Sequence, residues 1–265
     1  MPALAAENAH DPLAGLKAGL IIPRSGYHES EGVSGRKDIN MNRCVLVGGA
    51  AISDYGRVNR CLRDTDYFVF CDGGLNHLPR LQAKPNLIVG DFDSHPRPDT
   101  EVETIVLPRA KDDTDSFFAA KEALRRGFSD FLLLGLIGGR LDHTLGNVSL
   151  LLYLHEHRVS ARMMDDYSLM EIVSPDRPAV VDGSFSYFSL LCIGGTARGI
   201  RIAGAKFPLE NGEITPSWQF GVSNEVLPGH RAEISLREGR LLLIKDFPES
   251  TDPEEADGTP AAPGK

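Results

Sequence analysis

Short apolar runs alternate with helix-like segments from residue 44 to residue 164. The runs predict six strands, over Cys44–Val47, Tyr67–Cys71, Leu87–Val89, Thr104–Leu107, Phe131–Leu134 and Ala161–Met164. Apolar positions at helical spacing predict one helix from about Thr114 to Gly127 and a second from Leu141 to His157. The buried face predicted for the second helix carries Leu145, Val148, Leu151 and Leu152. Strands that are nearly continuous apolar runs and alternate with helices are typical of a parallel, Rossmann-like α/β sheet.

The pattern changes at about residue 168. Turn residues such as Asp182-Gly183 and Pro228-Gly229 separate short apolar runs, and no long helical period appears. This pattern predicts an antiparallel β-sandwich or barrel domain. The predicted segments are a loose leader at residues 1–40, an α/β domain at 41–167, the β domain at 168–247 and a disordered tail at 248–265. We expect folding not to need the segment before Met41.

Composition narrows the class of partner. The chain has 265 residues with 28 basic and 37 acidic side chains, for a net charge of −9. An acidic surface argues against a nucleic acid held through its phosphates, but not against a nucleotide held through a metal ion. No apolar run approaches the ~20 residues of a membrane span. The four cysteines have no CxxC spacing, so they indicate neither a zinc site nor a disulfide framework and fit a reducing cytoplasm.

An acidic turn follows the third predicted strand. Leu87–Val89 leads into Gly90, and Asp91 and Asp93 then lie two residues apart. In extended geometry both carboxylates point to one side, and Mg²⁺ would offset their repulsion. The alternative left open is an ordinary polar turn in which Asp93 and Ser94 cap backbone groups.

Other candidate residues follow other strands. In an open parallel sheet, ligands bind outside the carboxyl ends of the strands. Asp72, Asp91 and the run Gly138-Gly139-Arg140 all follow such ends, and Asp112 and Asp115 lie a few residues beyond another. The sequence therefore predicts that these residues converge on one edge. For Asp115 the alternative role is to stabilise its helix, because a carboxylate in the first helical turn contributes ~0.3–1 kcal/mol to helix stability.

This acidic set suits phosphoryl or pyrophosphoryl transfer. Several carboxylates can hold Mg²⁺ against a polyphosphate, and Arg140 and Lys111 can complement its charge. Arg140 could instead form a structural ion pair with Asp142. His143 could contact a phosphate, transfer a proton or only close a hydrogen bond.

Several further residues fit a plainer reading. A glycine pair at Gly48-Gly49 suits either a phosphate or a tight turn. The isolated histidines are interpreted as surface or helix-face residues, namely His77, His155 and His157. Trp218 and Phe220 could form an aromatic ligand shelf, but packing within the β domain is favoured.

Four motifs together resemble the thiamine pyrophosphokinase family. They are Cys71-Asp72-Gly73-Gly74-Leu75-Asn76-His77-Leu78, Pro85-Asn86-Leu87-Ile88-Val89-Gly90-Asp91-Phe92-Asp93-Ser94, Lys111-Asp112-Asp113-Thr114-Asp115 and Gly138-Gly139-Arg140-Leu141-Asp142-His143. Their order and spacing match as well, and the resemblance spans roughly Met41 to Phe247. It implies an α/β catalytic domain followed by a β domain.

The resemblance also implies an activity. The chain is expected to be an enzyme that transfers a pyrophosphoryl group from ATP to the hydroxyethyl oxygen of thiamine, giving thiamine diphosphate and AMP. Mg²⁺ is the implied cofactor, and ATP and thiamine are the implied small-molecule partners. A homodimer is also implied, with the active site between the α/β domain of one subunit and the β domain of the other.

The resemblance assigns roles by position. The implied metal ligands are Asp91, Asp93 and Asp115, and these residues form the implied catalytic set with Asp72 and Arg140. The implied ATP-binding residues are Gly73, Gly74, Lys111, Asp112, Arg140, Asp142 and His143. On the thiamine side, Phe207 stands where some members have Trp or Tyr, and Ser223-Asn224 resembles a substrate-binding turn. Phe207 as plain core packing stays open.

Two other functions compete. The α/β motifs would also allow pyrophosphoryl transfer to another hydroxyalkyl heterocycle such as a pterin. A non-catalytic thiamine- or nucleotide-binding module is the third reading. An acidic cluster without a cation is costly, which disfavours the module.

Overall fold

The structure is a computed structural model that describes residues 43–93, 95–110 and 112–249. The predicted leader at residues 1–40 and positions 250–265 of the predicted tail lie outside the described residues. Within the described part of the chain, no helix is both long enough and apolar enough to cross a membrane.

All six strands predicted in the first half form, with bounds within one residue of the prediction. They are β1 (Cys44–Val47), β2 (Tyr67–Cys71), β3 (Leu87–Gly90), β4 (Thr104–Val106), β5 (Asp130–Leu134) and β6 (Ser160–Met164). They pair in parallel in the order β6-β5-β1-β2-β3-β4. The predicted parallel α/β sheet is therefore confirmed.

Three α-helices and one 3-10 helix connect these strands. They are α1 (Tyr55–Cys61), the 3-10 helix (Asp72–His77), α2 (Asp115–Arg125) and α3 (Leu141–Glu156). The sequence missed α1 because its seven residues bury only Tyr55 and Val58, too few to show a helical period.

The second half is all β, as predicted. Its strands are β7 (Ser168–Val173), β8 (Ala179–Val181), β9 (Tyr187–Cys192), β10 (Ala197–Ala203), β11 (Leu209–Ile214), β12 (Gly221–Asn224), β13 (Ala232–Ser235) and β14 (Leu241–Asp246). Strands β10 and β11 were not predicted, because their pairing shifts register and Gly199 and Asn211 take positive φ angles. Such irregularities break the period-2 alternation from which a strand is recognised.

Half of these strands extend the first sheet. Antiparallel pairing of β7 with β6 continues the parallel sheet into a ten-stranded one, in the order β12-β9-β14-β7-β6-β5-β1-β2-β3-β4. The other four strands form a second sheet in the order β11-β10-β13-β8. Between the two sheets lies an apolar core that includes Phe188, Ile200 and Leu243. The β half therefore shares a sheet with the α/β half while it keeps its own core.

The buried face of α3 differs from the prediction. Leu145 was expected to be buried, but 60% of it is exposed. The buried stripe instead carries Asn147, Leu150, Leu151 and Leu154. This stripe follows the i, i+3, i+4, i+7 spacing of one helix face, and its first position is polar, which concealed it in the sequence.

His77 was predicted to be a surface or helix-face residue; it lies in the 3-10 helix but is buried, so the surface alternative was wrong. Its Nε2 lies 3.0 Å from the carbonyl oxygen of Ala50, and its Nδ1 lies 2.6 Å from the hydroxyl of Tyr55. A neutral ring satisfies both contacts, with Nε2–H donating and Nδ1 accepting. Burial lowers the pKa of His77 below its usual value of 6.5. The neutral ring ties the 3-10 helix to the loop after β1.

We expect this histidine to make stability depend on pH. Because its folded-state pKa is lowered, the unfolded chain takes up the proton first as the pH falls below about 6.5, and the folded state then loses stability. Urea unfolding between about pH 7.5 and about pH 5.5 should show a steeper loss for the wild type than for His77→Gln. Tyr55→Phe removes the hydroxyl partner but keeps the titrating ring, and it should retain the steep dependence. Equal slopes for the wild type and His77→Gln would contradict the assignment.

Candidate functional site

Three aspartates from distant parts of the chain meet at the carboxyl edge of the parallel sheet. Asp72 follows β2, Asp91 follows β3, and Asp115 opens α2. Each offers one carboxylate oxygen, and these oxygens all lie within 4.8 Å of one another. Asp72 is buried, and the other two are half-buried. The predicted convergence therefore occurs for these three residues.

A missing side chain makes room for Asp72. A Cβ atom at Gly90 would lie 2.9 Å from the Cβ of Asp72, closer than such atoms approach in proteins. Glycine at the end of β3 therefore lets the start of the 3-10 helix lie against it. Asp72 itself takes a left-handed backbone angle, with φ of 33°. A strained conformation of this kind at a non-glycine residue is common in functional sites.

Asp115 is held by the start of its helix. The hydroxyl of Thr114 accepts a hydrogen bond from the backbone N–H of Phe117 at 3.3 Å and caps α2. The positive end of the helix dipole faces the first turn and stabilises a carboxylate there. Asp115 therefore has a local stabilising contribution in addition to its place in the cluster.

Asp91 and Asp93 do not share one side of an extended strand. Phe92, between them, has a φ of 56°, so the chain turns there and the expectation of extended geometry was wrong. Asp93 is exposed and lies outside the three-carboxylate cluster. Its backbone N–H donates to Asp91 Oδ1 at 3.3 Å. The role of Asp93 as a metal ligand stays a prediction.

The chemistry of the cluster fits a hard divalent cation. Three carboxylates at this spacing repel one another, and an all-oxygen donor set is what Mg²⁺ prefers. The local potential is visible in a neighbouring thiol. The pKa of Cys71 is raised, first by burial and then by the charges of Asp115 and Asp72.

A glycine-rich loop lies at the same edge of the sheet as the cluster, on the other side of β1. It follows β5, which pairs with β1 on the side opposite β2. Gly138 and Gly139 have φ angles of 110° and 65°, and a Cβ atom at either would meet nothing within 4 Å. The loop is exposed and leads into the N-terminus of α3, where backbone N–H groups favour anions.

Arg140 forms the ion pair with Asp142 that the sequence left open. Its Nη2 donates to Asp142 Oδ2 at 2.6 Å and its Nε to Oδ1 at 3.2 Å, with both side chains exposed. These hydrogen bonds lower the pKa of Asp142. His143 is exposed, and its backbone N–H donates to Asp142 Oδ1 at 3.0 Å. Arg140 is thus accessible to solvent, and the Asp142 carboxylate fixes the orientation of its side chain.

The remaining predicted nucleotide residues have different settings. Gly74 is buried, and a Cβ atom there would lie 2.1 Å from the carbonyl oxygen of Val47, so backbone packing alone requires this glycine. Gly73 is half-buried, and Asp112 is exposed. Lys111 lies outside the described residues.

Phe207 is exposed rather than part of the core, with 59% of it accessible. Its backbone is held by buried Asn224, whose Oδ1 accepts from Phe207 N–H at 3.0 Å and whose Nδ2 donates to the carbonyl of Phe207 at 2.8 Å. Ser223 is exposed, has a φ of 59°, and donates its N–H to the hydroxyl of Ser189. The Asn224 amide therefore presents an aromatic ring to solvent.

The aromatic pair in the β half is also exposed. The Trp218 and Phe220 rings lie 5.0 Å apart between centroids, and 67% of Trp218 and 43% of Phe220 are accessible. Packing within the β domain was favoured for them from the sequence; the two rings do contact each other, but neither is buried in the core. Their loop lies outside the sheet-to-sheet core.

Family comparisons match both halves of the chain. A model described as the catalytic domain of thiamin pyrophosphokinase matches residues 58–163, and one for its vitamin B1 binding domain matches residues 175–241. The chain belongs to the thiamine pyrophosphokinase family. The two matched regions include the acidic cluster and Phe207 respectively.

Individual members of the family agree. A thiamine pyrophosphokinase of Bacillus subtilis is 29% identical over 167 residues, covering 59% of this chain and 76% of the relative. Thiamin pyrophosphokinase 1 of Caenorhabditis elegans is 24% identical over 197 residues, covering 69% and 81%. A solved thiamin pyrophosphokinase structure from Geobacillus thermodenitrificans superposes with a TM-score of 0.68 at 26% identity, covering 78% of this chain and 99% of that one.

Sequence reasoning missed two polar residues near the cluster. Ser116 and Asn147 are buried and hydrogen-bonded to each other at 2.9 Å. The available signal was an asparagine at a core-facing position of α3, where an apolar residue would otherwise be expected. A buried amide needs partners, so its position indicates a polar network.

We expect the three clustered aspartates to dominate binding of a divalent ion. With Mn²⁺ as a spectroscopic substitute, Asp72→Asn, Asp91→Asn and Asp115→Asn should each weaken binding by about tenfold or more, as loss of a ligand or its direct support does. Asp93→Asn is the matched control, since it removes the same charge two residues from Asp91. Titration of free Mn²⁺ by electron paramagnetic resonance measures all four. A loss for Asp93→Asn as large as the others would show that the cluster extends to Asp93.

Proposed function

We propose that the cluster of Asp72, Asp91 and Asp115 is the pyrophosphoryl-transfer site of a thiamine diphosphokinase. Family membership makes the chain an enzyme that transfers a pyrophosphoryl group from ATP to thiamine, giving thiamine diphosphate and AMP. The observation that carries the assignment to this place is the meeting of three carboxylates at the carboxyl edge of the sheet.

Mg²⁺ is the cofactor that this donor set would hold. The three clustered aspartates would ligate it, and Asp93, two residues along an exposed turn, would join when nucleotide binds. When bound, the ion neutralises the phosphates of ATP and fixes their orientation. The carboxylates keep the acceptor side of the site negative, which also attracts the positive thiazolium ring of thiamine.

The glycine-rich loop is the proposed phosphate-binding element. Neither Gly138 nor Gly139 has a Cβ atom to obstruct a ligand, and the N-terminus of α3 adds its dipole. The N–H of Gly138 donates to the hydroxyl of Thr144 at 3.1 Å and so helps to hold the loop on α3. Arg140 would turn from Asp142 to a phosphate and keep two parallel N–H donors engaged. The resemblance also assigns ATP-binding roles to His143, Asp142, Gly73 and Asp112, and on that ground alone to the buried Gly74 and to Lys111.

Phe207 is the proposed platform for thiamine. An exposed ring fixed by its own backbone can stack on the pyrimidine without losing much conformational freedom. The Oδ1 and Nδ2 atoms of Asn224 are both hydrogen-bonded to the backbone of Phe207, so Asn224 would act by positioning that ring. Ser223 is exposed in β12 next to Asn224, where the strand pairing shifts register, and is the candidate for a direct polar contact.

A homodimer would complete the site. Asn224 ends β12, an edge strand, and β12 lies seven steps from β2 in the ten-stranded sheet. At ~4.8 Å a step, this is ~34 Å along the sheet, much longer than a thiamine molecule. One chain therefore keeps Phe207 and the acidic cluster apart, and a second copy can supply the missing half. This supports an active site shared between subunits.

A reducing compartment fits the cysteines. All four are free thiols, and Cys44, Cys71 and Cys192 are buried. We place the enzyme in the cytoplasm on this ground.

We expect AMP release from ATP and Mg²⁺ to require thiamine. Product mass should identify thiamine diphosphate, and Asp91→Asn should lower the rate by at least about a hundredfold, because charge on the phosphates is then poorly neutralised. Asp113→Asn is a control, since Asp113 pairs with Lys121 at 2.7 Å rather than joining the cluster.

Two results would redirect the proposal. AMP release with a pterin but not with thiamine would keep the transfer chemistry and change the acceptor. ATP binding by folded protein with no AMP under any acceptor would leave a binding module.

We expect two inactive variants to restore activity when mixed. Asp91→Asn removes the acidic half of the site, and Phe207→Ala removes the aromatic half. If each site uses both subunits, a mixed dimer contains one intact site and one doubly altered site. Random mixing in equal amounts should then recover about a quarter of wild-type activity at low thiamine concentration.

The control mixes Asp91→Asn with Asp115→Asn, which alter the same half. This mixture should stay inactive, since every site then carries at least one altered aspartate. No recovery with the first pair, from dimers shown to exchange subunits, would mean that each chain builds its site alone.

A further inference from the structure

A buried polar chain links the helix of Asp115 to the glycine-rich loop. Asn147, on the core-facing side of α3, donates from Nδ2 to the backbone carbonyl of Leu136 at 2.8 Å. Its Oδ1 accepts from the hydroxyl of Ser116 at 2.9 Å. Asn147 and Ser116 are each 7% exposed. The link therefore crosses between α2, α3 and the segment after β5.

The donor and acceptor in each hydrogen bond of this network can be assigned. The carbonyl of Leu136 needs a donor, so the NH₂ group of Asn147 faces it and the amide oxygen faces Ser116. The hydroxyl of Ser116 donates its one hydrogen bond to Asn147, so it accepts a hydrogen bond from the hydroxyl of Thr114, 3.1 Å away. Thr114 in turn accepts from the N–H of Phe117. The buried Ser116–Asn147 pair is thus hydrogen-bonded on both sides, to Thr114 and to the carbonyl of Leu136, which restricts its movement.

The two ends of this hydrogen-bond network lie next to the two parts of the proposed ATP site. Asp115 stands between Thr114 and Ser116 in the sequence. Leu136 lies two residues before Gly138, where the exposed loop begins. A change in the middle of the network would alter the spacing between a clustered carboxylate and the phosphate-binding loop.

We propose that Asn147 is a positioning residue for pyrophosphoryl transfer. It sets the distance between Asp115 and the Gly138–Arg140 loop by bonding both supporting segments, and it touches neither the metal nor the substrate. The inference rests on the proposed function for its kinetic consequence. Its structural consequence, the placement of Asp115, concerns the cluster alone.

The test removes each link separately. Asn147→Ala and Ser116→Ala should each weaken Mn²⁺ binding and lower kcat about 10- to 100-fold, the usual cost of losing a residue that orients a metal ligand. KM for thiamine should stay near the wild-type value, since the aromatic platform is untouched. The double variant should be no worse than Asn147→Ala, because both changes remove the same hydrogen bond. Ser116→Thr keeps the hydroxyl and should restore Mn²⁺ binding.

Leu154→Ala is the control for lost stability. Leu154 is fully buried in the same helix, near its other end, and its side chain has no group that could join the hydrogen-bond network. The variant should lower the melting temperature and leave Mn²⁺ binding and kcat unchanged when measured well below that temperature. Melting temperatures of all variants are compared first.

The outcomes separate the two proposals. If Asn147→Ala lowers the melting temperature as Leu154→Ala does but keeps wild-type Mn²⁺ affinity and kcat, Asn147 is structural only and the inference is overturned. If the wild type gives no thiamine-dependent AMP, the proposed function fails. Mn²⁺ affinity then still decides whether Asn147 positions Asp115.

Discussion

Repulsion among three carboxylates is the constraint around which this site is built. Their oxygens lie within 4.8 Å of one another at the edge of a sheet, where burial strengthens every charge interaction. The chain accommodates them with specific features. Gly90 makes room for Asp72, the cap of α2 favours a charge at Asp115, and the turn at Phe92 leaves Asp93 outside. A divalent cation would offset this repulsion and link the cluster to phosphate chemistry.

The order of the strands supports the proposal that a nucleotide binds at this edge. The chain moves from β1 through β2 and β3 to β4 in one direction, and β5 then pairs on the other side of β1. Loops on either side of such a reversal separate and leave a crevice. The acidic cluster follows strands on one side, and the glycine-rich loop follows β5 on the other. A triphosphate laid across the crevice would contact a cation at one end and backbone N–H groups with Arg140 at the other.

The continuous sheet has a second consequence. Because β7 pairs with β6, the strands of the β half continue the sheet of the α/β half, and the edge strand β12 lies seven strand steps from β2. Phe207, whose backbone is hydrogen-bonded to Asn224 of β12, is therefore far along the sheet from the acidic cluster. This separation supports the proposal that two copies share each site, and a shared site would make activity depend on assembly.

The sequence alone determined the strands of the α/β half, because buried parallel strands are continuous apolar runs ended by glycine, aspartate or proline. It also determined that Asp72, Asp91 and Asp115 follow the ends of elements and so meet at one edge. It could not determine the turn at Phe92, since a left-handed angle at a non-glycine residue has little local signature. The burial of His77 and Asn147 was likewise hidden, because a polar residue gives no sign of its partners. Only the tertiary structure decided that the two halves share one sheet, since strand pairing at β6 and β7 depends on contacts and not on the pattern of either strand.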